Sequence, residues 1–96
     1  MKARLIYHEK LEVKERYTVE YKLHDVGKSE RYPDCLKYSL ICFDIKTKQR
    51  VLMDNHHPKG PHYHINDDEF GHKFISIDKL IEEFKLLVFN HLGVRL

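Results

Sequence analysis

Several residue types are scarce in this chain of 96 residues: it has no tryptophan, two cysteines, three prolines and four glycines. Cys35 and Cys42 are too few for a disulfide framework and do not form a C-x-x-C pair, so we expect two reduced thiols, one or both in the core. No apolar run approaches the roughly 20 residues that span a membrane. The first residues have no apolar stretch of the kind found in secretory signals. These absences favour a cytoplasmic protein with no membrane association.

Charge of one sign is also lacking, because 17 Lys and Arg residues face 15 Asp and Glu residues, for a net charge of +2. A protein that binds nucleic acid mainly by neutralising many phosphates needs a larger excess of positive charge. Binding of nucleic acid by a local basic patch is still compatible with this composition. The apolar fraction of 42% is sufficient for a folded core. A chain of this length predicts a single domain, residues 1–96.

Hydrophobic periodicity predicts the secondary structure. Alternating and apolar runs predict strands at 4–13, 16–24, 35–45 and 50–54 and a short extended segment at 62–65, with loops or turns at 25–34, 46–49, 55–61 and 66–71. Segment 35–45 is apolar on both faces near its middle, which predicts a central strand. Apolar residues at helical spacing predict a helix over 77–92, with Ser76 as N-cap and Gly93 at its end. The fold class predicted is α+β, a small, mostly antiparallel sheet with one C-terminal helix packed on a face.

Two apolar residues of this helix do not belong to its core face. On a helical wheel, Leu86 and Phe89 lie among polar residues. They are either isolated surface residues, which are common, or a contact patch for a second protein or subunit. We predict the contact patch.

Histidine, by contrast, is abundant and concentrated. Four of the eight histidines fall in the stretch MDNHHPKGPHYHIND (53–67). In an extended segment, His62 and His64 point to the same side, with backbones about 6.6 Å apart. Pro58, Gly60 and Pro61 shape the preceding loop and are expected to hold Lys59 near the imidazoles.

Two imidazoles and an ammonium meet the needs of RNA phosphodiester cleavage without a cofactor. One neutral histidine accepts the proton of a ribose 2′-OH, and one protonated histidine donates to the leaving oxygen. Lys59 stabilises the charge on the phosphate, and Asp54 orients one ring. As surface groups, His62, His64 and Lys59 are expected to be replaceable by alanine at little cost in stability.

The same residues also suit a metal ion. Asp54, His62 and His64 supply a carboxylate and two imidazoles, a set with open coordination positions. Lys59 nearby opposes a dication. An exposed loop without function is the third interpretation, and it is the one we apply to the isolated His8, His24 and His91.

The residues resemble the TumE family of toxin–antitoxin proteins over nearly the whole chain. The resemblance lies in KARLIY at the start, LKYSL in the central strand, DNHHPKGPHYHI and FISIDKLIEEF. Its most specific part is the set Asp54, Asn55, Lys59, Gly60, His62 and His64. The resemblance implies a small toxin held inactive by a DNA-binding antitoxin encoded beside it.

Three functions therefore remain open. The first is a metal-independent endoribonuclease toxin in which His62, His64, Lys59 and Asp54 are catalytic. RNA is then bound by Asn55, Gly60, Tyr38, Arg4 and Lys73. The second is a metal-dependent hydrolase or nuclease, and the third is a toxin that acts only by binding a partner. Leu86 and Phe89 are predicted to contact the antitoxin or, in a homodimer, a second subunit.

Overall fold

A computed structural model describes residues 4–96, which form six strands and one helix. In chain order the elements are β1 (Arg4–Val13), β2 (Tyr17–Asp25), β3 (Leu36–Asp44), β4 (Arg50–Asp54), β5 (His62–Ile65), β6 (Asp68–Gly71) and α1 (Ile77–Leu92). The strands form one antiparallel sheet in the order of the chain, β1-β2-β3-β4-β5-β6. The α+β prediction is confirmed, and β3 is a central strand as expected.

The segment 66–71 corrects the sequence-based prediction of a turn. Only Asn66 and Asp67 turn, and β6 then pairs with β5. Asn66 takes a left-handed φ of 57°, and its side-chain oxygen accepts the backbone N–H of Arg50 at 3.0 Å. Two-residue turns with left-handed backbone suit tight hairpins. Because β6 has four exposed residues, it lacks the apolar alternation that reveals a strand.

The helix begins and ends as its sequence predicts. The Ser76 side chain accepts the backbone N–H of Lys79, and Gly93, with a φ of 73°, donates its N–H to the carbonyl oxygen of Phe89. The helix packs across β3 and β4 and buries Leu80, Phe84 and Val88. Over residues 4–96, no helix has both the length and the apolarity needed to cross a membrane.

One face of the sheet is covered by the helix, and the other is not. The pleat sends alternate side chains to opposite faces, and the face under α1 carries the buried core, including Val19, Leu40 and Val51. The other face, which we call the open face, carries the alternate residues of the same strands. Ser39 of β3 and Asp54 of β4 are register partners on this face.

The cysteines are both free. Cys42 is buried in the core and Cys35 is partly exposed, which agrees with the expectation of at least one core thiol. Burial, and then the neighbouring Asp44, raise the pKa of the Cys42 thiol to about 11. This thiol is therefore un-ionised and unreactive at neutral pH.

Asp44 holds the end of β3 in place. Its buried carboxylate accepts two hydrogen bonds from Arg16, at 3.0 and 2.9 Å, and further bonds from the backbone N–H groups of Lys46 and Thr47. The Arg16 hydrogen bonds are the largest cause of a pKa for Asp44 far below the usual range. A carboxyl whose pKa is depressed by folding stabilises the fold above its unfolded pKa of about 4, and this stability is lost as the pH falls.

We therefore expect Asp44→Asn to flatten the acid limb of the stability curve. The free energy of unfolding of the wild type should fall from about pH 4 downward. The variant should have a lower free energy of unfolding at pH 7 and should lose less of it between pH 7 and pH 3. Urea unfolding at pH 7 and pH 3 measures both. Asp67→Asn, in the exposed β5–β6 turn, is the control that keeps the wild-type slope. Equal acid sensitivity of Asp44→Asn and wild type would contradict the role of this carboxylate.

Candidate functional site

The histidine pair lies on the open face, opposite the helix. In the register of β4 and β5, His62 is the partner of Asp54, and His64 is the partner of Leu52. The ring centroids of His62 and His64 are 5.0 Å apart, and the rings are nearly perpendicular at 80°. The spacing of two residues thus places both imidazoles on one side of the sheet, as predicted.

A single cavity joins the histidines to the loop before them. Asp54, Lys59, His62 and His64 line a cavity of about 320 Å³, together with His56, His57 and Pro58 from the β4–β5 loop. The structure therefore brings together the four residues that the sequence indicated as catalytic.

His62 is held from both sides. Its Nδ1 lies 2.7 Å from the carbonyl oxygen of Gly60, and its Nε2 lies 3.2 Å from Oδ1 of Asp54. A carbonyl oxygen and an ionised carboxylate can only accept hydrogen bonds. Nδ1 therefore donates to the carbonyl oxygen of Gly60, while Nε2 faces the Asp54 carboxylate at ion-pair distance. The side chain is nearly buried, with 6% of the residue exposed, so its orientation is fixed.

The loop conformation explains this clamp. Gly60 has a φ of 72°, in the left-handed region that favours glycine, and this turns its carbonyl toward His62. Asp54 is fixed in turn, because its Oδ1 also accepts the backbone N–H of His56 at 3.1 Å. Gly60, predicted to bind substrate, is placed here as the backbone that orients the His62 ring.

Glu69 is the member of the site that the sequence analysis missed. It lies on β6 as the register partner of His64, and its Oε1 is 3.4 Å from Nε2 of that ring. The same oxygen accepts from the Lys59 ammonium at 2.5 Å. The hydrogen bond from Lys59, and then the positive charges around it, lower the pKa of the Glu69 carboxyl. Only the β5–β6 hairpin, with its two-residue turn, brings this glutamate beside the histidines.

Three residues of the site could also hold a metal ion. His62, His64 and Glu69 each offer one ligand atom, and these three atoms lie within 4.8 Å of one another. Metal-bound histidines usually donate their other ring N–H to a carbonyl or carboxylate, which is the contact that His62 makes with Gly60. The Lys59 ammonium, bound to Glu69, occupies the position of a competing cation.

Asn55, predicted to bind substrate, points away from the cavity into the protein. Its amide nitrogen donates to the carbonyl oxygen of Leu36 at 2.7 Å, and its amide oxygen accepts the backbone N–H of Tyr38 at 2.9 Å. The residue is buried, so both ends of its amide are used to fix the end of β4 to β3. In the structure, Asn55 therefore stabilises the fold and does not face the cavity.

Asn55→Ala should accordingly reduce stability. Without the amide, a backbone N–H and a carbonyl remain buried without a partner, and each such group costs about 1–3 kcal/mol. We expect a fall of about 2–6 kcal/mol in the free energy of unfolding, measured with urea. Asn90→Ala, on the exposed side of α1, is the control. A variant of unchanged stability that binds RNA weakly would restore the substrate-binding interpretation.

The remaining substrate-binding candidates lie elsewhere. Tyr38 is buried on the helix side, where its hydroxyl is 3.1 Å from Nε2 of His72. Lys73 lines a separate cavity on that side. Arg4 is on the edge strand β1 and pairs with Asp25 at 3.2 Å. The structure does not bring these three residues to the histidine pair.

Comparison of the chain with family models, with curated proteins and with solved structures finds no match. Membership of the TumE family stays a prediction from the sequence.

Proposed function

We propose that the protein is a metal-independent endoribonuclease that acts as the toxin of a toxin–antitoxin module. One observation carries the ribonuclease part: His62 is clamped between two acceptors, 5.0 Å from the ring of His64, in a cavity that Lys59 also lines. Two imidazoles in different hydrogen-bonding environments are what acid–base cleavage of RNA requires. The toxin part rests on the resemblance of the sequence to the TumE family.

His64 is the general base in this scheme. Its ring lies beside the cavity and has one contact with a carboxylate, that of Glu69 at 3.4 Å. The neutral ring takes the proton of a ribose 2′-OH, and the 2′-oxygen then attacks the adjacent phosphorus.

His62 is the general acid. The bond from phosphorus to the 5′-oxygen breaks as the new bond to the 2′-oxygen forms, and the leaving oxygen takes the Nε2 proton of His62. Gly60 holds the ring through Nδ1 during this transfer, while the leaving oxygen replaces Asp54 as acceptor. The products are a 2′,3′-cyclic phosphate and a 5′-hydroxyl end.

Lys59 supplies the positive charge. The Lys59 side chain is more than half exposed and its ammonium is bound to the exposed Glu69, so the ammonium can leave this partner and contact a phosphate oxygen. A fixed cation at a developing negative charge is a large source of transition-state stabilisation.

A metal-dependent hydrolase or nuclease is the second candidate. The observation that favours it is the set of ligand atoms of His62, His64 and Glu69 within 4.8 Å. These residues would hold the ion, with Asp54 beside them, and the ion would supply Lewis-acid activation of water. The chain's own part in this candidate is to orient His62 through Gly60.

The deciding experiment incubates purified protein with total RNA, with and without EDTA, beside His64→Ala. Cleavage that persists in EDTA and yields cyclic phosphate ends is expected. Cleavage abolished by EDTA and restored by a divalent ion would replace the first candidate with the second. Binding without cleavage under all conditions would favour a toxin that acts by binding a partner.

The proposed toxin also needs a surface for its antitoxin. Leu86 and Phe89 are exposed on α1, by 58% and 44%, as the helical wheel predicts. Leu86 borders an apolar cavity that also includes Ile75, which is 65% exposed. An apolar surface of this kind is typical of protein contacts, and we assign it to the antitoxin.

Leu86→Ser with Phe89→Ser should therefore weaken binding of the antitoxin. We expect a loss of at least about tenfold in affinity, since buried apolar anchors carry most interface energy. Calorimetry measures the affinity, and circular dichroism checks the fold. Leu5→Ser with Ile45→Ser, two similarly exposed apolar residues outside α1, is the matched control. A variant that binds fully, or that unfolds, contradicts the assignment, and loss of self-association alone would assign the patch to a second subunit.

A further inference from the structure

A polar groove on the open face lies directly beside the histidine cavity. Its volume is about 400 Å³, and its lining includes Lys22 and His24 of β2 and Lys37 and Ser39 of β3. These four residues were not predicted from the sequence to bind substrate, whereas Tyr38, which was, also borders the groove. The four residues share the face with the histidine pair because register partners across neighbouring strands point to the same side of a sheet.

The groove and the histidine cavity lie on neighbouring strands. Lys22 is the register partner of Ser39, Ser39 of Asp54, and Asp54 of His62. This row crosses three interstrand spacings of about 4.8 Å, or roughly 14 Å from Lys22 to His62. A flexible polymer cut at the histidines can therefore extend over the groove.

The charge of the groove favours an anion. Over residues 4–96, neither Lys22 nor Lys37 forms an ion pair, and both are exposed. The carboxylate of Glu20 also lines the groove, where it accepts a hydrogen bond from His8 at 2.9 Å, and this hydrogen bond is the largest cause of its lowered pKa. Two lysines thus remain for phosphate groups.

The open face also carries apolar side chains, on β3 and β4. Ile41 and Phe43 of β3 and Leu52 of β4 are half-buried on the open face, and Leu52 is the partner of both Ile41 and His64. A flat sheet surface with an aromatic ring accepts unstacked bases. Stacked duplexes keep their bases covered and cannot use it.

We propose that the open face binds single-stranded RNA, with Lys22 and Lys37 contacting phosphates on one side of the scissile bond. The choice of RNA over other single strands rests on the proposed function, since cleavage at the histidines needs a 2′-OH. The binding itself depends only on the groove, so binding and cleavage are tested separately.

The experiment uses the full chain and a 2′-O-methylated single strand of about ten nucleotides, within the range of known single-strand sites. This strand lacks the attacking hydroxyl and cannot be cut by the proposed chemistry. Fluorescence anisotropy at several salt concentrations gives the affinity and its salt dependence. Lys22→Gln with Lys37→Gln should lower affinity by about tenfold and reduce the salt slope by roughly 1.4, about 0.7 for each phosphate that a lysine no longer neutralises. The control is Lys79→Gln with Lys85→Gln on α1, which has the same change in net charge.

Cleavage of a dinucleoside monophosphate separates the groove from the catalytic cavity. This substrate is too short to reach the lysines, so the Lys22/Lys37 variant should cut it at the wild-type rate. Unchanged strand affinity in this variant, an equal loss in the control pair, or equal affinity for duplex RNA would each overturn the inference. Lysine-dependent binding by a protein that cuts no RNA would support the groove and refute the ribonuclease.

Discussion

His64→Ala is expected to reduce the rate of RNA cleavage by about 10²- to 10⁴-fold, the usual loss when a general base is removed. The ring is partly exposed and lies beside the cavity, so the change removes the base without opening the core. The same loss should abolish toxicity in a growth assay. Cleavage rates on a defined RNA, measured with circular dichroism to confirm folding, give the result.

His62 needs a different substitution. With 6% of the residue exposed, one hydrogen bond to Gly60 and a carboxylate contact to Asp54, His62 is not the surface residue that its sequence context predicted. The expectation of an exposed side chain was therefore wrong for it, and that exposure was the reason for expecting a nearly neutral alanine variant. Alanine would leave a cavity and an unpaired carbonyl of Gly60. His62→Gln keeps a donor and much of the volume, but it cannot deliver a proton as an acid. We expect it to fold and to lose as much activity as His64→Ala.

His91→Ala is the matched control for both histidines. His91 is exposed in the last turn of α1, on the other side of the sheet from the open face. Its removal should leave cleavage and toxicity at wild-type levels. A folded variant with both His62→Gln and His64→Ala that remains fully toxic would show that the cavity is not the active site.

The sequence predicted those parts of the fold that local periodicity determines. The alternation from Tyr17 to Asp25 identifies β2 and its buried face, and the helix over Ile77–Leu92 is marked by its apolar stripe and both caps. His62 and His64 could be placed on one face because their relation is local, two residues along one strand. These features need no knowledge of which strands are neighbours.

The rest of the site depends on strand order and register, which one sequence does not reveal. Glu69 reaches His64 because a two-residue turn pairs β5 with β6. Lys22 and Lys37 come to the histidine side because β2 to β5 are successive neighbours in one sheet. Asn55 was predicted to bind substrate because it belongs to the motif that resembles the TumE family, and Tyr38 was predicted to contact RNA. Burial instead assigns both to the protein's own hydrogen bonds.

Lys59→Ala has opposite expected effects in the two catalytic schemes, and so it is the sharpest test between them. In acid–base cleavage, the ammonium stabilises the charge developing on the phosphate, and its loss should reduce the rate constant kcat by about 10²- to 10³-fold. In metal-dependent hydrolysis, the ammonium competes with the ion for Glu69, to which it is bound in the free protein. Its removal should then strengthen binding of Zn²⁺ or Mn²⁺ and preserve or raise activity.

Glu69→Gln completes this comparison, because the Glu69 carboxylate is only a partner of Lys59 in acid–base cleavage but is a ligand in metal-dependent hydrolysis. Acid–base cleavage should tolerate this change, since Lys59 is released to contact the phosphate, whereas a metal site would lose one of three ligands and most of its affinity. Cleavage rates in EDTA and in added metal, together with calorimetry of Zn²⁺ binding, measure both variants against Lys85→Ala on α1. We expect Lys59→Ala to be the more impaired variant in EDTA. If Lys59→Ala is active and Glu69→Gln is inactive, the chemistry belongs to a metal ion. Only the metal scheme needs the Glu69 carboxylate, as a ligand, and does not need the Lys59 ammonium, which competes with the ion for that carboxylate.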